Sequence, residues 1–210
     1  HRNSADSLNV AVVTQDVVFN EFASGVPDAS AFRRMLKMLW DRGNNSARRL
    51  KYALFFGRTT FDNRHLTSTV QALGYPTMPT WQTDKGLNDN ETFQTDDFFA
   101  FLLDNSGVTM SSDRYCIAVG RMPVRSKDEA KSAVDKLYRY VNSSKKTGWK
   151  NQVMILSDDD DNAVHLYQSE SMFGNFMSSY SGQQYVYNKV YIDAFEKVGK
   201  TYPEARERMF

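Results

Sequence analysis

Asn151–His165, NQVMILSDDDDNAVH, is the stretch whose reading decides the fold. It opens on an apolar run, Val153-Met154-Ile155-Leu156, breaks into four consecutive aspartates, Asp158 to Asp161, and returns to helix-like sequence at Asn162. A short apolar run with turn signals on both sides predicts a strand buried on both faces, as in a parallel sheet covered by helices. In such sheets the working groups sit in the loops just past the carboxyl ends of the strands. The acidic run stands in that place.

Downstream, Val164, Leu166, Phe173, Phe176 and Met177 predict a helix over 163–180. A strand follows over 185–192, with Tyr185, Tyr187 and Tyr191 as a face against helices, then a short helix opening at Pro203. Upstream, Ser126 and Glu129 have the spacing of a capping box, ahead of a helix with Ala130, Val134, Leu137, Tyr138 and Val141 on one face. Strands are predicted over 115–120, 51–57 and 9–13. Gln15–Gly25 reads as a loop or short helical turn. Asp28 is a good N-cap for a helix in which Phe32, Met35, Leu36, Leu39 and Trp40 recur at helical spacing and Gly43 supplies the stop. Residues 58–94 carry little periodicity and read as a long loop insertion. The order β-α-β-loop-β-α-β-α-β-α predicts an α/β fold, a mostly parallel sheet with helices on both faces, in a single domain over 1–210.

The chain has 210 residues and a net charge of +1, which gives no global signal for nucleic acid or an anionic membrane. No apolar run approaches the roughly 18 residues of a membrane span. A single cysteine rules out an internal disulfide, and with three histidines it argues against a structural zinc site. Cys116 lies in an apolar run, so it reads as a buried small hydrophobe and not as a nucleophile paired with His165.

The acidic residues support several readings. Asp158 and Asp160, like Asp96 and Asp97, are candidate Ca²⁺ ligands, a hard ion that takes several oxygens. Asp158–Asp161 is equally a solvated acidic cap on the next helix. Asp96 and Asp97 also read as a turn cap or a cleft rim. Asp62 and Arg64 follow a predicted strand, and there they would contact a substrate or pair with each other. No cofactor other than Ca²⁺ is suggested.

Several stretches together carry a resemblance. They are Phe19-Asn20-Glu21-Phe22-Ala23-Ser24-Gly25, Pro27-Asp28-Ala29-Ser30-Ala31-Phe32-Arg33-Arg34, Lys37-Met38-Leu39-Trp40-Asp41-Arg42, Phe61-Asp62-Asn63-Arg64, Thr95-Asp96-Asp97, Val119-Gly120-Arg121-Met122-Pro123-Val124 and the run Asp158–His165. In this order and spacing they resemble the gingipain-type cysteine peptidases, in particular the PorU branch of surface peptidases and transpeptidases of the type IX secretion system. The resemblance implies a caspase-like α/β domain, of which this chain would be the first half, incomplete at both ends, with His1–Ser7 the tail of a preceding helix. It implies a catalytic His, in a Gly-His-Gly segment, and a catalytic Cys on later strands; neither is in this chain, which would supply scaffold and cleft wall. It implies that Asp158 or Asp159 orients that His, and that Asp161 or Asn162 lies at the substrate-cleft rim with Asp62 and Arg64. The implied partners are the rest of the peptidase domain, a peptide substrate (the C-terminal signal of secreted cargo) and other secretion components. The implied location is the cell surface, associated with the outer membrane. Two departures stand out: Gly57 is followed by Arg58 where the family often has Asp, and Asp160 stands where it often has Gly.

Overall fold

A computed structural model describes residues 8–44, 46, 49–85, 91–143, 148–158 and 160–210, with the backbone alone at 160 and 161. The chain divides into two compact units, His1–Val141 and Asn142–Phe210.

The first unit begins with α1 (Gln15–Ala23) and α2 (Ala29–Gly43). The sequence predicts a strand over 9–13, yet residues 8–14 form no regular element and Val12 is 93% exposed. A β-branched run becomes a strand only with a partner, and none of the described strands pairs with it. Gln15–Gly25, expected to be a loop or short helical turn, holds the longer helix α1. Val18 and Phe19 are buried against α2, and Ser24 and Gly25 close the helix at φ 51° and 84°. Asp28 caps α2 as expected, accepting the Ser30 N–H at 2.9 Å. Gly43 is the last helical residue, and Asn44, at φ 31°, takes the left-handed capping position.

Strand β1 (Tyr52–Phe56) follows, then α3 (Ser68–Gln71), β2 (Trp81–Gln82) and β3 (Gln94–Thr95), so the expected insertion holds a helical turn and an antiparallel strand pair. A 3₁₀ turn at Asp97–Ala100 leads to β4 (Ala118–Met122), which pairs parallel with β1. The predicted strand 115–120 therefore starts three residues late. Tyr115 to Ile117 serve packing: the Cys116 N–H donates to the Ala100 carbonyl at 2.8 Å, and Cys116 is half-buried, not buried within a strand. The core of this unit is Phe19, Phe32, Leu36, Phe55, Phe99, Leu102 and Ile117. Arg33 and Lys37 of α2 pin the segment after the 3₁₀ turn, donating to the carbonyls of Phe101 at 2.8 Å and Leu102 at 3.1 Å.

Helix α4 (Lys127–Asn142) forms where the capping box predicts. Only half the box closes: the Ser126 hydroxyl accepts the Glu129 N–H at 3.2 Å, while the Glu129 carboxylate turns to the backbone and guanidinium of Arg125. The predicted apolar face stays half-exposed, and no α4 residue is buried.

In the second unit β5 (Gln152–Ser157) pairs parallel with β6 (Val186–Tyr191), and α5 (Asp160–Met177) joins them. Parallel register puts Val153, Ile155 and Ser157 on one face with Tyr187, Lys189 and Tyr191. Helix α5 lies on that face, with Phe173 edge-on to Tyr187 at 5.1 Å. Val190 alternates to the other face and is fully buried, and α6 (Pro203–Met209) packs on β6. The apolar run of β5 is a strand, as read, but not one buried on both faces: Met154 and Leu156 are 44% and 48% exposed. Helix α5 starts inside the aspartate run, three residues earlier than predicted.

Candidate active-site edge

The carboxyl end of β5 brings Asp158 and His165 together. His165 Nδ1 lies 2.8 Å from Asp158 Oδ1. A carboxylate only accepts, so in a neutral ring the proton sits on Nδ1, and Nε2 is left as an acceptor. Both side chains are about half exposed, 52% and 46%. Between them the backbone turns sharply: Asn162 and Ala163 take φ 58° and 59° inside the first turns of α5. Ser157, the last residue of β5, has a buried hydroxyl with no partner among the described residues. Asp159 and the side chains of Asp160 and Asp161 lie outside the described residues, while Asn162 is exposed.

Beyond Asp158 on the same unit stands a group that sequence reasoning did not single out. The Glu170 carboxylate accepts from Lys189 Nζ at 2.8 and 2.9 Å and from the Tyr191 hydroxyl. Lys189 Nζ also lies 3.6 Å from the Phe173 ring centroid. The Lys189 hydrogen bond, chiefly, holds the Glu170 carboxyl below its ordinary range. Burial first, and the hydrogen bond to Glu170 second, push the Tyr191 hydroxyl up to about 12. The folded chain thus keeps this proton longer than the unfolded chain. Stability from Tyr191 is complete below the ordinary value of 10.0 and drains away as pH rises toward about 12. Urea titrations between those pH values are expected to show a shallower loss in Tyr191→Phe than in wild type; parallel curves would show that the proton is not held by the fold.

In the first unit the loop after β1 holds Asp62, Asn63 and Arg64. Asp62 is taken up by its own loop, accepting the N–H and hydroxyl of Thr67 at 2.7 and 2.9 Å. The N–H groups of Leu66 and Thr67 hold its carboxyl below the ordinary range. Arg64 is exposed and makes no ion pair among the described residues, so of the two readings of this loop the Asp62–Arg64 pair does not form.

Asp96 is held by a strong cationic partner. Arg121 Nε donates to Oδ2 at 2.7 Å and Nη2 to Oδ1 at 2.8 Å, a two-pronged pair. The Thr80 hydroxyl adds a bond to Oδ1 at 2.6 Å, and Arg121 Nη1 reaches the Gly57 carbonyl at 3.0 Å. Both Asp96 oxygens are therefore engaged. Asp97 stands beside Tyr115, and its charge raises the Tyr115 hydroxyl pKa. Among the described residues no three His, Cys, Asp or Glu side chains gather as a metal site needs. The family-like stretch at 119–124 contains Arg121, but spacing alone gave it no role; the only hint was a charged residue inside a strand.

The model for peptidase family C25 matches residues 1–210. The crystal structure of gingipain R, an Arg-specific cysteine proteinase, superposes with a TM-score of 0.54 at 18% identity, over 90% of this chain and 36% of that one. No curated protein matches. Parallel strand pairs flanked by helices, with polar groups gathered past the strand tips, define an α/β chain of the caspase-like gingipain fold. The chain belongs to the C25 cysteine peptidase family. It spans 36% of the length of the gingipain R chain.

Proposed function

We propose that this chain forms the scaffold and cleft wall of a PorU-like cysteine peptidase and transpeptidase, one that removes the C-terminal sorting signals of type IX secreted proteins at the cell surface. The family match over 1–210 supports the peptidase part of this reading, and the sorting-signal part rests on the sequence resemblance alone. In such an enzyme a thiolate attacks the scissile carbonyl, an imidazole shuttles protons and backbone N–H groups stabilise the oxyanion. The sequence holds no Gly-His-Gly segment, and its one thiol, Cys116, is half-buried with its N–H committed to Ala100. The nucleophile and base then come from a longer parent polypeptide, and the 210 residues alone are expected to cleave nothing.

Asp158, just past the end of β5, is on this reading the carboxylate that would fix the tautomer of that imidazole and stabilise its charged form. In the parent, Asp158→Ala is expected to lower kcat by on the order of 10²-fold, with folding intact by circular dichroism. The assay is cleavage of a peptide carrying a cargo C-terminal signal. Undiminished turnover in Asp158→Ala would remove the orienting role, and a wild-type parent that cleaves no such peptide would remove the peptidase reading.

A further inference from the structure

We propose that His165 is a positioning residue: it fixes the Asp158 carboxylate so that the carboxylate's second oxygen is held for another donor. The inference rests on the peptidase reading above and deepens it. Asp158 stands just past the end of β5, and a carboxylate there rotates freely unless something holds it. His165 Nδ1 meets Oδ1 at 2.8 Å, the one hydrogen bond of the Asp158 side chain to another described side chain. One oxygen is tied, and the other can accept the N–H of an incoming imidazole. Orientation of this kind matters because reacting groups tolerate little misplacement.

The backbone gives an independent sign that this arrangement is held. Asn162 and Ala163 are both left-handed, at φ 58° and 59°. Asparagine tolerates that conformation, whereas alanine does not take it without cost. Such outliers persist where the surrounding structure fixes them. Here they lie in the turn that joins Asp158 to His165.

A purely structural role makes the opposite prediction. Both partners are about half exposed, 52% and 46%, and an exposed pair adds little to stability. Removing the imidazole should leave unfolding almost unchanged and act on turnover alone.

The test replaces His165 in the parent with Leu, which removes the donor, and with Asn, which keeps a side-chain N–H near the Nδ1 position. His165→Leu is expected to lower kcat about tenfold, the scale of losing one charge-assisted hydrogen bond, with KM and the urea midpoint unchanged; His165→Asn restores most of the loss. In the 210-residue chain, long-range ¹H–¹⁵N spectra are expected to show the proton of the neutral His165 ring on Nδ1, and Asp158→Ala to abolish that preference. Wild-type kcat in His165→Leu, or a proton resting on Nε2 in the wild-type chain, would overturn the inference. A loss of kcat that follows a loss of the urea midpoint would also overturn it, as a stability effect. If the wild-type parent cleaves no peptide, the peptidase reading fails first and takes this role with it; if the parent cleaves and His165→Leu cleaves equally well, this inference alone fails.

Discussion

Phe99→Ala is expected to lower the unfolding free energy by about 3–5 kcal/mol. Phe99 is fully buried and meets three rings at once, with centroids 4.5 Å from Phe55, 5.9 Å from Phe32 and 5.8 Å from Phe98. Phe32 belongs to α2 and Phe55 to β1, so the ring joins helix, strand and the 3₁₀ turn in one cluster. The cost of such a deletion depends on how far the surroundings can collapse. Collapse is restricted here, because Arg33 and Lys37 fix the next residues, Phe101 and Leu102, onto α2. Phe99→Leu keeps most of the volume and should cost under about 2 kcal/mol. Urea unfolding followed by near-ultraviolet circular dichroism separates the two. A loss below about 1 kcal/mol in the alanine variant would mean that the cluster is not the core of its unit.

How much of this was legible in the sequence depends on whether the deciding contact was local. The cap at Asp28, the helix α2 behind it and the strand at Val153–Leu156 were readable because a turn signal and an apolar period lie within a few residues. The half-exposure of Met154 and Leu156 was not, since every position of that run is apolar and nothing in it tells the covered face from the open one. Asn9–Val13 has strand-forming residues but no partner strand among the described ones, and partnering is a non-local fact. The reverse happened at α1, where β-branched Val17 and Val18 disfavour a helix and packing of Val18 and Phe19 on α2 outweighs them. At the candidate site the acidic run was evident from residue type, and the resemblance pointed to its carboxylates. That Asp158 meets His165 was not evident, because a left-handed turn at Asn162–Ala163 lies between them and has no glycine to announce it. The Glu170–Lys189–Tyr191 group joins a helix to a strand across 19 and 21 residues, a distance over which spacing carries no signal.

Arg121 and Asp96 present the same problem of distance and the second large effect. They are 25 residues apart, and their side chains are only 10% and 22% exposed. Arg121→Met keeps the volume but leaves the Asp96 carboxylate with Thr80 as its remaining bond, and strips the Gly57 carbonyl of its side-chain donor. Breaking one side of a buried pair is more damaging than replacing both, so a loss of about 3–4 kcal/mol is expected. The double variant Arg121→Met, Asp96→Leu should recover part of that loss, because no carboxylate is then left unmatched. Arg121→Lys separates charge from shape: an ammonium supplies the charge but cannot reach both Asp96 oxygens and the Gly57 carbonyl in one planar fork. It should therefore fall between wild type and the methionine variant. Since Gly57 closes β1 and its N–H bonds Met122 of β4, the loss should also speed hydrogen exchange at Gly57 and, through the Arg58 carbonyl, at Met78. A lysine variant as stable as wild type, with exchange at those amides unchanged, would show that the guanidinium is not what ties the carboxyl edge of β1 and β4 to the loop carrying Thr80 and Asp96.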